Sequence, residues 1–265
     1  MPMKFSTSFI SISLITASLA LAGCATSPTG RSQIIMFSDA EMAQLGAQSF
    51  EELKKQEKVS QDKKTNQYVA CITNAITAHV PPQRGFQHWE VVVFDSEQVN
   101  AFALPGGKIG VYTGLLKVAE NQDQLATVIG HEIAHVLANH SNERLSQSQI
   151  ANVGLQISSA ALKGSQYHNM AMAGLGLGAQ YGVIMPYGRT QESESDILGL
   201  ELMAQAGFNP NESVNLWHNM AKASGGAQPP ALLSTHPSHT TRIKDLQNKI
   251  NTLPSYSVSK PNCKA

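Results

Sequence analysis

A mainly helical α+β domain with a small antiparallel β-meander is predicted by three observations. The first is an H-E-x-x-H run inside a helical pattern, Val128-Ile129-Gly130-His131-Glu132-Ile133-Ala134-His135-Val136-Leu137. The second is a set of capped segments on either side of it whose apolar residues recur at helical spacing. The third is a β-rich stretch between residues 89 and 112, punctuated by Pro105-Gly106-Gly107. At 265 residues, 42% hydrophobic and 14% charged, the chain is long enough for one substantial domain behind an N-terminal extension. Its 19 Lys and Arg balance 19 Asp and Glu, so nothing electrostatic points to nucleic acid or to bulk-charge binding of anionic lipid.

Residues 1–23 read as an export signal. Lys4 makes a short positive start, an apolar run extends from Phe9 to Leu21, and small residues precede Cys24. The run is too short for a transmembrane helix. Leu21-Ala22-Gly23-Cys24 resembles the bacterial lipobox, which implies cleavage before Cys24 and lipidation of that cysteine; the alternative is an ordinary signal peptide with an incidental cysteine. Ala25 is not the Asp that tends to retain lipoproteins at the inner membrane, so the resemblance favours the outer membrane, with the domain on the periplasmic side. Residues 24–37, polar and containing Pro28 and Gly30, read as a tether.

The domain is expected over residues 38–253. Ser38-Asp39-Ala40-Glu41 is a capping box, and Met42, Leu45, Phe50 and Leu53 follow at helical spacing to about Lys58. A second helix is predicted from Asp62 to Val80, with Tyr68, Val69, Ile72 and Ile76 on one face, stopped by Pro81-Pro82. Strands are predicted over Trp89–Phe94, Val99–Leu104 and Lys108–Tyr112. Asn100, Ala101, Phe102 and Ala103 read either as an edge that pairs with an extended peptide or as plain structural sheet. An Asn121-x-x-Gln124 capping pattern opens the H-E-x-x-H helix. The Gly- and Met-rich stretch Met170 to Met185 reads as close helix packing through small residues, or as a movable or membrane-contacting cover. Helices follow around Asp196 up to Gly207, from Asn209-Pro210 to about Lys222, and near Thr240 to Ile250. The tail, residues 254–265, is polar and reads as mobile apart from Cys263.

His131 and His135 fall one turn apart on one helix face, so both imidazoles reach a single metal ion, for which zinc is the natural occupant. Glu132 lies beside the position left for water and can take its proton without being a ligand, which is the chemistry of a zinc hydrolase. A catalytic zinc needs a third protein ligand, and Arg189-Thr190-Gln191-Glu192-Ser193-Glu194-Ser195-Asp196 offers it. Glu192 can bind the metal while Asp196, four residues on, holds the outer N–H of a ligand histidine. Glu194 points elsewhere and reads as part of a solvated face.

Four motifs resemble one known family: Asn100-Ala101-Phe102-Ala103-Leu104-Pro105-Gly106-Gly107, His131-Glu132-x-x-His135, Glu192-x-x-x-Asp196 and Thr235-His236-Pro237 with Arg242. The chain is similar to the HtpX and type I prenyl-protein (CAAX) endopeptidases, in the lipoprotein branch with BepA- and LoiP-like proteins, related to the mitochondrial overlapping-activity peptidase. That resemblance covers about Ser38 to Leu253. It implies a gluzincin-type zincin domain, one Zn2+ held by His131, His135 and Glu192, Glu132 as catalytic base, and Asp196 behind the ligands. Ser195 departs from the Ala common in relatives. The resemblance also implies protein or peptide substrates in the periplasm or outer membrane of a Gram-negative cell, and brings the Thr-His-Pro loop to the cleft. There His236 is a loop residue, an oxyanion donor, or an occupant of zinc's open position. The rival to a metalloendopeptidase in protein quality control is a zinc-bearing chaperone or assembly factor for outer-membrane proteins. With Cys24 lipidated, Cys71 and Cys263 either pair as a disulfide in an oxidising compartment or stay unpaired.

Overall fold

A computed structural model describes residues 24–83, 85–161, 163, 185–223, 232, 236 and 241–264. The signal segment 1–23, nearly all of the Met170 to Met185 stretch, Gly225-Gly226, and the Thr235 and Pro237 neighbours of His236 lie outside the described residues.

Helix α1 (Asp39–Gln56) begins with the reciprocal box that its sequence predicts. The Ser38 hydroxyl accepts from the Glu41 N–H and the Glu41 carboxylate accepts from the Ser38 N–H. Helix α2 (Lys63–Thr77), capped by Asp62, buries Tyr68, Val69, Ile72 and Ile76. Between α2 and the helix that carries the H-E-x-x-H run lie strands β3 (Glu90–Phe94), β4 (Ala101–Leu104) and β5 (Lys108–Tyr112).

The sheet differs from a meander. Its order is β3-β5-β4; β4 and β5 are antiparallel, but β3 runs parallel to β5. Short apolar runs such as Val91 to Phe94 and Ala101 to Leu104 mark strands without ranking their neighbours, and they fit either order. What sets the order is the 95–100 segment, which crosses the end of β5: the Ser96 N–H donates to Thr113 Oγ1 and the Gly114 N–H to the Ser96 carbonyl. Gly106 and Gly107 both adopt left-handed backbone (φ 83° and 72°), which lets the two-strand turn close.

One face of the sheet packs against α2 and α3 (Gln122–Leu137) through Ala101, Ala103, Ile109 and Val111. The other face, with Phe94, Phe102 and Tyr112, packs on Phe50 of α1. Nearly every residue of α3 from Asp123 to His135 is buried. Against it lies α5 (Met185–Gln205), at backbone contact: a Cβ on Gly199 would stand 2.7 Å from the His131 nitrogen, and one on Gly130 would stand 2.8 Å from the Gly199 carbonyl. Helices α4 (His140–Ala161), α6 (Glu212–Ala223) and α7 (Arg242–Ile250) complete the shell.

The segment expected to be a polar tether is instead a hairpin, β1 (Cys24–Thr26) paired with β2 (Ser32–Ile34). It is pinned to the end of α3 and to α4: Gln33 donates to the Ala138 carbonyl and to Glu143, and just beyond the hairpin the Met36 N–H donates to Ser146 Oγ. The tail is not loose either. Gln122 bonds both the Pro261 carbonyl and the Cys263 N–H, Lys260 pairs with Asp123, and Cys263 is disulfide-bonded to Cys71 with Cα atoms 5.7 Å apart. That bridge closes a loop with a sequence separation of 192. Removing it frees the unfolded chain over that length, so the Cys71→Ser, Cys263→Ser double variant is expected to lose roughly 2–5 kcal/mol. Denaturant midpoints of the variant and the wild-type protein, both non-reduced, check this; equal midpoints would show that the bridge adds nothing.

Candidate metal centre

Asn121 caps α3, its side chain accepting from the Asp123 and Gln124 N–H groups at 3.0 Å each. One helical turn separates His131 from His135, and the fold buries both. Their Nε2 atoms face each other at 3.0 Å. Across the backbone contact, α5 delivers Glu192, whose oxygens lie 3.3 Å from His131 Nε2 and 3.5 Å from His135 Nε2. His236 Nδ1 lies 3.0 Å from Glu192 and 3.4 Å from His131 Nε2. Ligand-capable atoms of these four residues all fall within 4.8 Å of one another.

Proton placement shows what such a cluster fits. Asp196 Oδ1, 3.0 Å from His131 Nδ1, accepts its hydrogen and so leaves a lone pair on Nε2. Arg242 Nη2 holds the same Asp196 oxygen at 2.6 Å, its guanidinium lying 3.6 Å over the Trp217 ring. Two imidazole lone pairs beside a carboxylate repel unless a cation sits among them, and a nitrogen and oxygen donor set of this size fits zinc. Without metal, a proton takes that place. Burial opposes it, but Asp196 and Glu192 raise the His131 pKa to about 9. Burial and the neighbouring His131 push His135 well down, so it stays neutral. Burial raises Glu192, but hydrogen bonds from His131 and His236 outweigh it and hold the carboxyl far below the usual range.

Glu132, next along α3, is buried with its Oε2 accepting from the Ala103 N–H at 3.2 Å. Its Oε1 has no hydrogen-bond partner among the described residues and lies 3.4 Å from His236 Nε2. Strand β4 is thus the edge strand beside the site, and one of its outward N–H groups is taken by Glu132 rather than left free. Along it, Ala101 and Ala103 face α3, whereas Phe102 turns away into the aromatic cluster with Phe94 and Tyr112. Asn100 Oδ1 is buried and has no hydrogen-bond partner among the described residues. A groove of about 360 Å3 runs from Pro105 and Gly106 past Met42 and Phe86 to His135 and Asn139.

A second row of polar groups, absent from the sequence reading, stands behind His135. His140 Nδ1 lies 2.9 Å from His135 Nδ1, and His140 Nε2 lies 3.1 Å from Glu194 Oε2. Glu194 is therefore not on a solvated face; it is buried and also accepts from Thr29 and Arg31 of the N-terminal hairpin. Burial raises its pKa, but the bonds from His140, Ser27, Thr29 and Arg31 hold it well below the usual carboxylate range. Ser195 Oγ adds a contact to His140 Nδ1 at 3.3 Å. The signals were present as His140 and Arg31, but neither stands at ligand spacing. Cys24 opens β1, and Cys71 and Cys263 meet away from the metal centre.

Residues 63–250 match Peptidase family M48. Mitochondrial metalloendopeptidase OMA1 of Schizosaccharomyces pombe is 37% identical over 162 residues, 60% of this chain and 46% of the relative. The beta-barrel assembly-enhancing protease of Yersinia pestis is 30% identical over 193 residues, 71% of this chain and 39% of the relative. Mitochondrial metalloendopeptidase OMA1 of Danio rerio is 30% identical over 234 residues, 84% of this chain and 49% of the relative. The matched region thus spans less than half the length of each of these relatives.

Proposed function

Since this chain belongs to peptidase family M48, we propose that it is a zinc-dependent endopeptidase that hydrolyses peptide bonds of envelope proteins. One observation carries the reading: His131, His135 and Glu192 converge from two helices in backbone contact, and beside them lies a Glu132 oxygen that no described residue hydrogen-bonds. Zinc, when bound, supplies Lewis acidity, lowering the pKa of water and polarising the scissile carbonyl. Glu132 Oε1 accepts the proton of the attacking water and returns it to the leaving amine, while the Ala103 N–H keeps the carboxylate in register. The Asp196–Arg242 pair holds the His131 ring in one tautomer. An extended substrate lies along the β4 edge and in the groove that ends at His135, bound through its main chain. His236, at hydrogen-bond distance from Glu192, is placed to cover the site or to donate to the oxyanion.

Envelope substrates are supported by the relatives named for β-barrel assembly. Anchoring is assigned to a lipid on Cys24, at the outer membrane; no helix among the described residues is long and apolar enough to cross a membrane. The test is hydrolysis of an unfolded protein substrate by the purified chain. Activity removed by a chelator and restored by zinc is expected. Zinc-loaded protein that binds the substrate and never cuts it would favour the chaperone reading instead. For the anchor, Cys24→Ser is expected to move the protein from the membrane to the soluble fraction, and retention at the membrane would refute the lipid.

A further inference from the structure

Each histidine of α3 has a carboxylate and an arginine behind it. We propose that the set behind His135, namely His140, Glu194 and Arg31, positions that imidazole for the metal from the N-terminal hairpin. This rests on the zinc peptidase reading and extends it to residues that no zinc-ligand spacing contains.

Hydrogens can be assigned along the row one by one. With Nε2 of His135 turned to the metal, the hydrogen of that ring is on Nδ1, 2.9 Å from His140 Nδ1. His140 therefore accepts at Nδ1 and carries its own hydrogen on Nε2, 3.1 Å from a Glu194 oxygen that can only accept. The opposite tautomer of His140 would set two N–H groups against each other and leave the carboxylate without that donor. Glu194 is fixed in turn by the Thr29 hydroxyl at 2.5 Å and Arg31 Nε at 3.0 Å. Arg31 is fixed by both oxygens of Glu143, at 2.6 and 2.7 Å. His140, Glu143 and Glu194 are 1%, 1% and 4% exposed, so these three groups rely on protein partners. On the other ligand the same task is done in one step less, by Asp196 and Arg242. Asn139, at φ 54°, makes the turn between α3 and α4 after which His140 meets His135.

The experiment uses the full chain, stripped of metal and titrated with zinc against a chromophoric chelator, together with the visible spectrum of its cobalt(II) form. His140→Ala is expected to weaken zinc binding roughly ten- to a hundredfold and to change the cobalt spectrum, as loss of a group that orients a metal ligand does. Glu194→Gln, which keeps volume and an acceptor but not charge, and Arg31→Ala are expected to shift both readouts in the same direction by several-fold. Melting of the metal-free variants close to the wild-type value separates positioning from a folding defect. If His140→Ala does not fold, Glu194→Gln decides. Wild-type zinc affinity and cobalt spectrum in His140→Ala or in Glu194→Gln would overturn the inference, and in Arg31→Ala alone would remove the hairpin from it. A wild-type chain that takes up no zinc would sink the peptidase reading itself.

Discussion

Glu132→Gln is expected to lower kcat by about 10^2- to 10^4-fold, the range that a positioned acid–base group contributes, with one zinc per chain retained. Glutamine fills the same buried volume and its carbonyl still accepts from the Ala103 N–H, so the helix and strand keep their register. What is lost is the proton acceptor at Oε1, the oxygen of the pair that no described residue hydrogen-bonds. Because the carboxylate is not among the clustered atoms that could hold a metal ion, KM and zinc content are expected to stay near wild type. Turnover of a fluorogenic peptide and elemental analysis of the same preparation test both halves. Near-normal turnover would remove Glu132 from the mechanism.

Glu192→Ala is expected to fail differently, losing zinc along with activity. Glu192 is the sole carboxylate in the four-residue cluster and also faces Arg242 Nη1 at 3.5 Å. Its removal leaves three imidazoles and a buried guanidinium without that counter-charge. Breaking a buried charge cluster in this way costs about 3–5 kcal/mol. The metal-free variant should therefore unfold at lower urea as well as retain little zinc after dialysis. Stoichiometric zinc in Glu192→Ala would show that this carboxylate is not a ligand. Because one variant keeps metal and the other does not, the pair separates proton transfer from ligation.

What was legible in the sequence follows from how far apart the cooperating residues lie. His131, Glu132 and His135 sit within one helix, where the 3.6-residue period converts spacing directly into direction. Glu192 and Asp196 share a helix face in the same way, and the structure brings both to His131. Helix caps such as Ser38 with Glu41 are local and were equally plain. The order of the strands was not, because the continuous apolar runs Val91 to Phe94 and Ala101 to Leu104 mark strands and leave the neighbours of each strand undetermined. Residues 24–37 looked like a tether because three-residue strands bury too little to leave a pattern. Their anchorage depends on Arg31 meeting Glu194, 163 positions away. For the same reason Glu194 looked solvated: the side chains that cover it come from the hairpin and from beyond the turn at Asn139, not from its own helix.

The contact between Gly130 and Gly199 has a mechanical consequence for the metal centre. Wherever two ligand-bearing helices are separated by a layer of side chains, each rotamer in that layer adds its own error to the span between ligands. Here no such layer exists at the level of His131, since the main chains themselves touch. The spacing of His131 and Glu192 is gauged against a hard stop, and the tolerance on it is that of two peptide groups in van der Waals contact. Mutations elsewhere in the core can repack without being transmitted to the ligand span, whereas even a methyl group at either glycine acts as a shim driven between the ligands.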